Sequence, residues 1–177
     1  MAKKAISLMK NIVLTGFMGT GKTEVGRELS RILGWKLIDV DDEIVKNQNI
    51  SINEIFGRFG EPAFRDIETE MIGKVSRNRN VIISTGGGAV LKQQNMDILR
   101  ENGVIICLSA TPETIFERTS TNSERPLLKV EDPLGRIREL MEFRRPFYEK
   151  ADIMIDTEQK TPLSIAEEIL ERMGWKR

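Results

Sequence analysis

Histidine is absent from this chain, which removes imidazole-ligated metal sites and every Ser-His or Cys-His catalytic pair. Cysteine occurs once, as Cys107 within "VIICLS", so no disulfide can close inside the chain and the thiol reads as a small core residue. Net charge is missing too, because 27 Lys and Arg balance 27 Asp and Glu. No overall field draws the protein to nucleic acid or a membrane, and any anion site has to be built locally. No apolar run reaches the length of a membrane span. The opening "MAKKAISLMK" carries lysines but no long apolar stretch, and reads as a short leading arm rather than a signal peptide. These absences point to a cytoplasmic protein. Its 177 residues, 40% of them hydrophobic, suffice for one domain with a real core.

What is present is an alternation of strand-like and helix-like segments. Continuous apolar runs occupy residues 11–16, 36–41, 80–85, 103–109 and 152–157, a length and composition suited to strands buried on both faces. Helical patterns lie between them. Val25, Leu29 and Ile32 form one stripe after the first strand; Ser51 and Glu54 form a capping box; helical spacing resumes at 61–75 after a glycine break. Thr111 with Pro112, and then residues 133–148 and 162–173, supply the remaining helices. Repeated βα units predict a parallel sheet with helices on both faces. Two segments exceed what a crossover needs, 42–72 and the polar 119–132, and each can cover a site from above.

The first strand runs into "GFMGTGKT". Gly16 and Gly21 allow the backbone to turn its N–H groups around phosphate oxygens, with Gly19 and Thr20 lining the loop. The helix beginning at Lys22 adds its N-terminal end. Lys22 is placed to reach the β- and γ-phosphates, and Thr23 to set a hydroxyl on Mg²⁺. The cofactor-contacting set is Gly16, Gly19, Thr20, Gly21, Lys22, Thr23 and the adjoining Glu24, with a nucleoside triphosphate as the ligand. No N-K-x-D base-reading signature accompanies the loop.

Candidate acceptor groups follow. The second strand ends in "DVDDE", where Asp39 is expected at Mg²⁺ and Asp41 at the attacking hydroxyl; the same stretch can simply cap a helix through Asp41 or Asp42. The third strand runs into Gly86, Gly87 and Gly88, which suit close approach of a substrate to the backbone or a tight turn. Arg65, with Glu68 one helical turn on, and the pair Arg144 and Arg145 before "PFY" offer guanidinium forks for a carboxylate or phosphate, and Arg125 stands in the polar insertion. A gluconate-type hydroxy acid kinase, a nucleoside monophosphate kinase and a non-catalytic nucleotide-binding module share parts of this pattern.

"GFMGTGKT", "DVD", "GEPAFRDIE", "STGGGAV", "RPLL" and "RRPFY", in this order and spacing, resemble the shikimate kinase family from about Asn11 to the last helix. The resemblance implies a P-loop NTPase fold like that of nucleoside monophosphate kinases, α/β, three layers, with a five-stranded parallel sheet. It implies transfer of the ATP γ-phosphate to the 3-hydroxyl of shikimate, with Mg²⁺, by a monomer. Asp41, Arg65, Gly87 and Arg144 match the shikimate-binding set, framed by Gly86 and Gly88. Thr23 and Asp39 match the magnesium positions. Lys22, Asp41 and Arg125 match the catalytic ones, with Arg125 in a lid at 119–132. Arg118 and Pro162 match the residues flanking adenine, and 42–72 matches a shikimate-binding subdomain. Arg145 departs from the family pattern; the offset from "PFY" favours Arg144 for the carboxylate.

Overall fold

A computed structural model describes residues 10–120 and 130–175. Five strands, β1 (Asn11–Gly16), β2 (Lys36–Asp39), β3 (Val81–Ser84), β4 (Gly103–Ser109) and β5 (Ile153–Asp156), form one sheet in the order β2-β3-β1-β4-β5. Every pairing is parallel, and Val13 of β1 sits in register with Ile83 on one side and Ile105 on the other. The helices are α1 (Lys22–Leu33), α2 (Val40–Gln48), α3 (Ile52–Val75), α4 (Gln93–Asn102), α5 (Pro112–Thr119), α6 (Pro133–Tyr148) and α7 (Pro162–Arg172).

The period of two along each strand divides the core. Val13, Ile83, Ile105 and Cys107 face one side, where α2 to α6 bury Ile44, Ile72, Leu99, Ile115 and Ile137. Ile12, Leu14, Ile82, Ile106 and Leu108 face the other, packed by Val25 and Leu29 of α1 and by Ile165 and Ile169 of α7. This is the three-layer α/β/α arrangement predicted from the alternation. Because the strands are parallel, their C-terminal ends share one edge, and the phosphate loop, the end of β2 and the glycine turn after β3 all arrive there.

Local signals mostly act where the sequence places them. Ser51 and Glu54 complete a reciprocal capping box, and Thr111 caps α5 with Pro112 in its first turn. α3 breaks at Gly60, which has φ 81°, as the glycine there predicts. Other details differ. β2 ends at Asp39, two residues short of the expected strand, because the Asp39 carboxylate accepts from the amides of Asp41 (3.0 Å) and Asp42 (3.3 Å) and starts α2. The cap expected of Asp41 or Asp42 thus belongs to Asp39. Met154 is 38% exposed because β5 is an edge strand.

Candidate active site

The loop between β1 and α1 is held open by its own side chains. Gly16 has φ +132°, and a Cβ there would stand 2.3 Å from the Leu108 carbonyl oxygen, so no other residue fits. The buried Thr20 hydroxyl donates to the Phe17 carbonyl at 2.8 Å. The Lys22 ammonium donates to the carbonyls of Gly16 (2.8 Å) and Phe17 (2.9 Å), which fixes its charge over the loop. Gly21 precedes α1 in the left-handed conformation and supplies no side-chain cap, so the first amides of α1 are served by no side chain at that position. Thr23 and Glu24 follow in the first turn, Glu24 pairing with Arg27 at 2.8 Å. Arg118 of α5 bonds the Gly19 carbonyl (3.3 Å) and the Thr157 hydroxyl (3.2 Å), tying the loop to the end of β5. Pro162 opens α7 as an exposed residue and does not line the cleft.

Beside the loop, four elements converge on the glycine turn. A Cβ on Gly86 would lie 3.0 Å from Glu68 Oε1 and 3.1 Å from Asp41 Oδ1. One on Gly88 would lie 2.3 Å from Arg65 Nη2, because that guanidinium packs flat on the glycine. Gly87 adjoins the Met18 amide and Arg144 Nη1. Arg65 is bonded to Glu61 (2.9 Å) and to the fully buried Glu68 (2.8 Å), both on its own helix, as the Arg65–Glu68 spacing predicts. Its guanidinium also stands 5.1 Å from the Phe64 ring centroid. Arg144 is only 4% exposed and lies 5.5 Å from the Phe17 ring centroid. Arg145 points outward and pairs with Glu142, whereas Arg144 is buried beside the turn.

Burial, then the charges of Asp39 and Glu68, push the Asp41 carboxyl up to about 7; Lys22 and Arg65 offset part of the rise. Burial also raises Asp39 and Glu68 above the ordinary carboxylate range. Asp41 Oδ1, Glu68 Oε1 and Arg144 Nε are buried polar atoms with no hydrogen-bond partner among the described residues. Unmade hydrogen bonds of this kind are expensive, and their grouping at one turn marks a place built for a polar ligand.

A cleft of about 430 Å³ joins the two halves, lined by Gly19, Gly21, Lys22, Thr23, Glu24, Asp39, Asp41, Gly86, Gly87 and Arg118 of the predicted residues. Arg65, Gly88 and Arg144 stand immediately behind that lining. A larger cavity of about 900 Å³ between the end of β4 and α6 includes Thr20 and Arg145 of the candidate residues. Its lining combines Phe17, Ala110, Met141 and Met154 with the charged Arg138, Glu139, Glu142, Arg145 and Glu149, and it holds neither the Lys22 ammonium nor the Asp39 and Asp41 carboxylates, which line the smaller cleft. Arg125 lies outside the described residues, as does most of the 119–132 segment.

A sequence model of the shikimate kinase family matches residues 18–174. The chain belongs to the shikimate kinase family. Its relatives include the shikimate kinases of Thermodesulfovibrio yellowstonii, 52% identical over 92% of this chain and 94% of that one, and Caldanaerobacter subterraneus, 51% identical over 92% and 95%. Among solved structures, shikimate kinase from Acinetobacter baumannii in complex with shikimate superposes with a TM-score of 0.92 at 36% identity, covering 96% of each chain. A gluconokinase from Sinorhizobium meliloti is 18% identical with a TM-score of 0.58, a likeness of fold alone. Family membership thus supports shikimate over the gluconate alternative. Two contributors went unassigned in the sequence. Phe17 sits inside the quoted loop motif and Tyr148 closes "RRPFY", so both were visible as motif letters without a role.

Proposed function

We propose that this chain transfers the γ-phosphate of ATP to the 3-hydroxyl of shikimate, giving shikimate 3-phosphate and ADP on the route to chorismate and the aromatic amino acids. The observation that carries it is the convergence of Asp41, Arg65 and Arg144 on one glycine turn beside the phosphate loop, in a member of this family. Arg65 and Arg144 grip the acceptor carboxylate; each guanidinium offers a fork that a ring acid can meet with two oxygens. With the acid anchored there, the hydroxyl faces Asp41 and the phosphate loop. Positioning and charge neutralisation supply most of the acceleration in such transfers.

Asp41 orients the hydroxyl and takes its proton. A carboxyl near 7 is far better matched to that task at neutral pH than an ordinary aspartate. Lys22 and the loop amides stabilise charge on the moving phosphoryl group, and we assign Arg125 to the same role from the lid at 119–132. The donors at the cleft fit Mg²⁺: a hydroxyl and a carboxylate are hard oxygen ligands, and no three His, Cys, Asp or Glu among the described residues form a metal cage, so phosphate and water oxygens would complete the set. Thr23 and Asp39 would hold the ion, which supplies positive charge at the phosphates. Arg118 and Pro162 flank the adenine, residues 42–72 cover the acceptor, and the enzyme works as a cytoplasmic monomer. No described helix is long and apolar enough to cross a membrane.

ADP release, coupled to a spectrophotometric readout, tests the reading with ATP alone, with added shikimate and with added gluconate. Release that depends on shikimate alone is expected. Equal rates with both acids would refute the substrate assignment.

A further inference from the structure

The glycine turn has no side chains with which to hold itself. Its carbonyls are nevertheless tied. Gly86 accepts from the Ala89 amide (3.2 Å) and Gly88 from the Leu91 amide (3.1 Å), both bonds local to the short 3-10 turn Ala89–Leu91. The middle carbonyl, Gly87, accepts instead from the Tyr148 hydroxyl at 2.6 Å, across 61 positions of chain. A peptide group is planar, so fixing the Gly87 C=O also fixes the direction of the Gly88 N–H. Gly88 is the residue against which the Arg65 guanidinium lies. One phenol therefore sets the peptide plane on which the acceptor grip is assembled.

The same helix delivers both parts of that grip. Arg144 and Tyr148 are four residues apart on α6 and share a face. The Arg144 cation acts directly on the phenol, opposing the burial that lifts its pKa to about 12; the hydroxyl remains a proton donor at every working pH. Tyr148 is 8% exposed, and its ring lines the larger cavity together with Phe17, which carries Arg144. A phenylalanine ring would fill that space equally well. What the hydroxyl adds is the bond to Gly87.

We propose that Tyr148 is a positioning residue for the acceptor: by clamping the Gly87 carbonyl it orients the Gly87–Gly88 peptide between Arg65 and Arg144, and so sets the affinity for the acceptor carboxylate without touching ATP. The proposal rests on the acceptor-site reading given above. Tyr148→Phe tests it. The shikimate KM is expected to rise about tenfold, as for loss of one buried hydrogen bond, with the ATP KM within about twofold of the parent. A shikimate KM within twofold, or parallel rises for both substrates, overturns it. Arg65→Ala measured alongside separates the two levels. A raised shikimate KM for Arg65→Ala with none for Tyr148→Phe defeats this inference alone; no change in either defeats the acceptor-site reading as well.

A second readout leaves the fold intact. Tyr148 is the only tyrosine of the chain, so uniform 3-fluorotyrosine incorporation yields a single ¹⁹F resonance from this phenol. The resonance should move on saturation with shikimate and respond far less to a non-hydrolysable ATP analogue. A resonance indifferent to shikimate, or shifted equally by both ligands, counts against the clamp.

Discussion

The two halves of the cleft are built from different materials. The nucleotide half is mostly backbone: a glycine-bearing loop, the start of α1 and one lysine, all within residues 16–23 of a single continuous stretch. The acceptor half is mostly side chains brought from afar, Asp41 on α2, Arg65 and Glu68 on α3, Arg144 and Tyr148 on α6, packed on the turn after β3. On the proposed reading, the first half binds a ligand common to many enzymes, and a loop suffices. The second has to recognise one small ring acid, and recognition at that level needs charges held in place by buried partners. That demand explains why Asp41, Glu68 and Arg144 each carry a buried polar atom without a hydrogen-bond partner among the described residues on the acceptor side.

If the halves are distinct, damage to them should separate. The largest effect belongs to Lys22→Met, which removes the charge above the loop. Turnover in the coupled ADP assay should fall on the order of 10³-fold with the fold intact by circular dichroism. Normal turnover would contradict the loop's role.

Asp41→Asn comes next, with an expected loss of roughly 10²-fold in turnover, within the range for a general base. In the parent, kcat/KM for shikimate should climb as pH rises through about 7 and level off above it, because the ionised carboxylate is the active form; the asparagine variant should lack that limb. The stability effect has the opposite sign. A raised carboxyl ionises more readily in the unfolded chain, so its cost to the folded state grows as pH climbs from 3.8 towards about 7 and is complete above that. Asp41→Asn should therefore raise Tm at pH 8 by several degrees, with the gain vanishing near pH 4. A pH-independent difference in Tm would contradict the burial argument.

Gly88→Ala is a finer probe. The new Cβ would collide with the end of the Arg65 side chain, which can swing away but then loses its place. About a tenfold rise in shikimate KM is expected, with ATP KM unchanged, by the same arithmetic as one lost hydrogen bond. The smallest effect belongs to Arg145→Ala. Its side chain is 62% exposed and engaged with Glu142, and both KM values should stay within about twofold.

The halves also differ in how readily the sequence discloses them. The phosphate loop is legible because its parts are adjacent and its flanking strand and helix follow from simple periodicity. The sheet is legible for the same reason. Which of Arg144 and Arg145 is buried depends on the packed face of α6, where Arg144 lies against Phe17, and periodicity alone does not show it. Val40 and Asp41 belong to α2 and not to the strand expected over 36–41, because the competition of Asp39 for the amides of Asp41 and Asp42 is a local event that apolar patterning does not register. The bond from Tyr148 to Gly87 is hidden more deeply, since its acceptor is a main-chain oxygen with no residue type to announce it.

The most direct measurement is a crystal structure of the protein with shikimate and a non-hydrolysable ATP analogue. The account predicts the ring carboxylate about 3 Å from guanidinium nitrogens of Arg65 and Arg144, with the 3-hydroxyl between Asp41 and the terminal phosphate. Shikimate bound instead in the larger cavity behind Phe17, or along the nucleotide half, in a closed and reactive complex would contradict it.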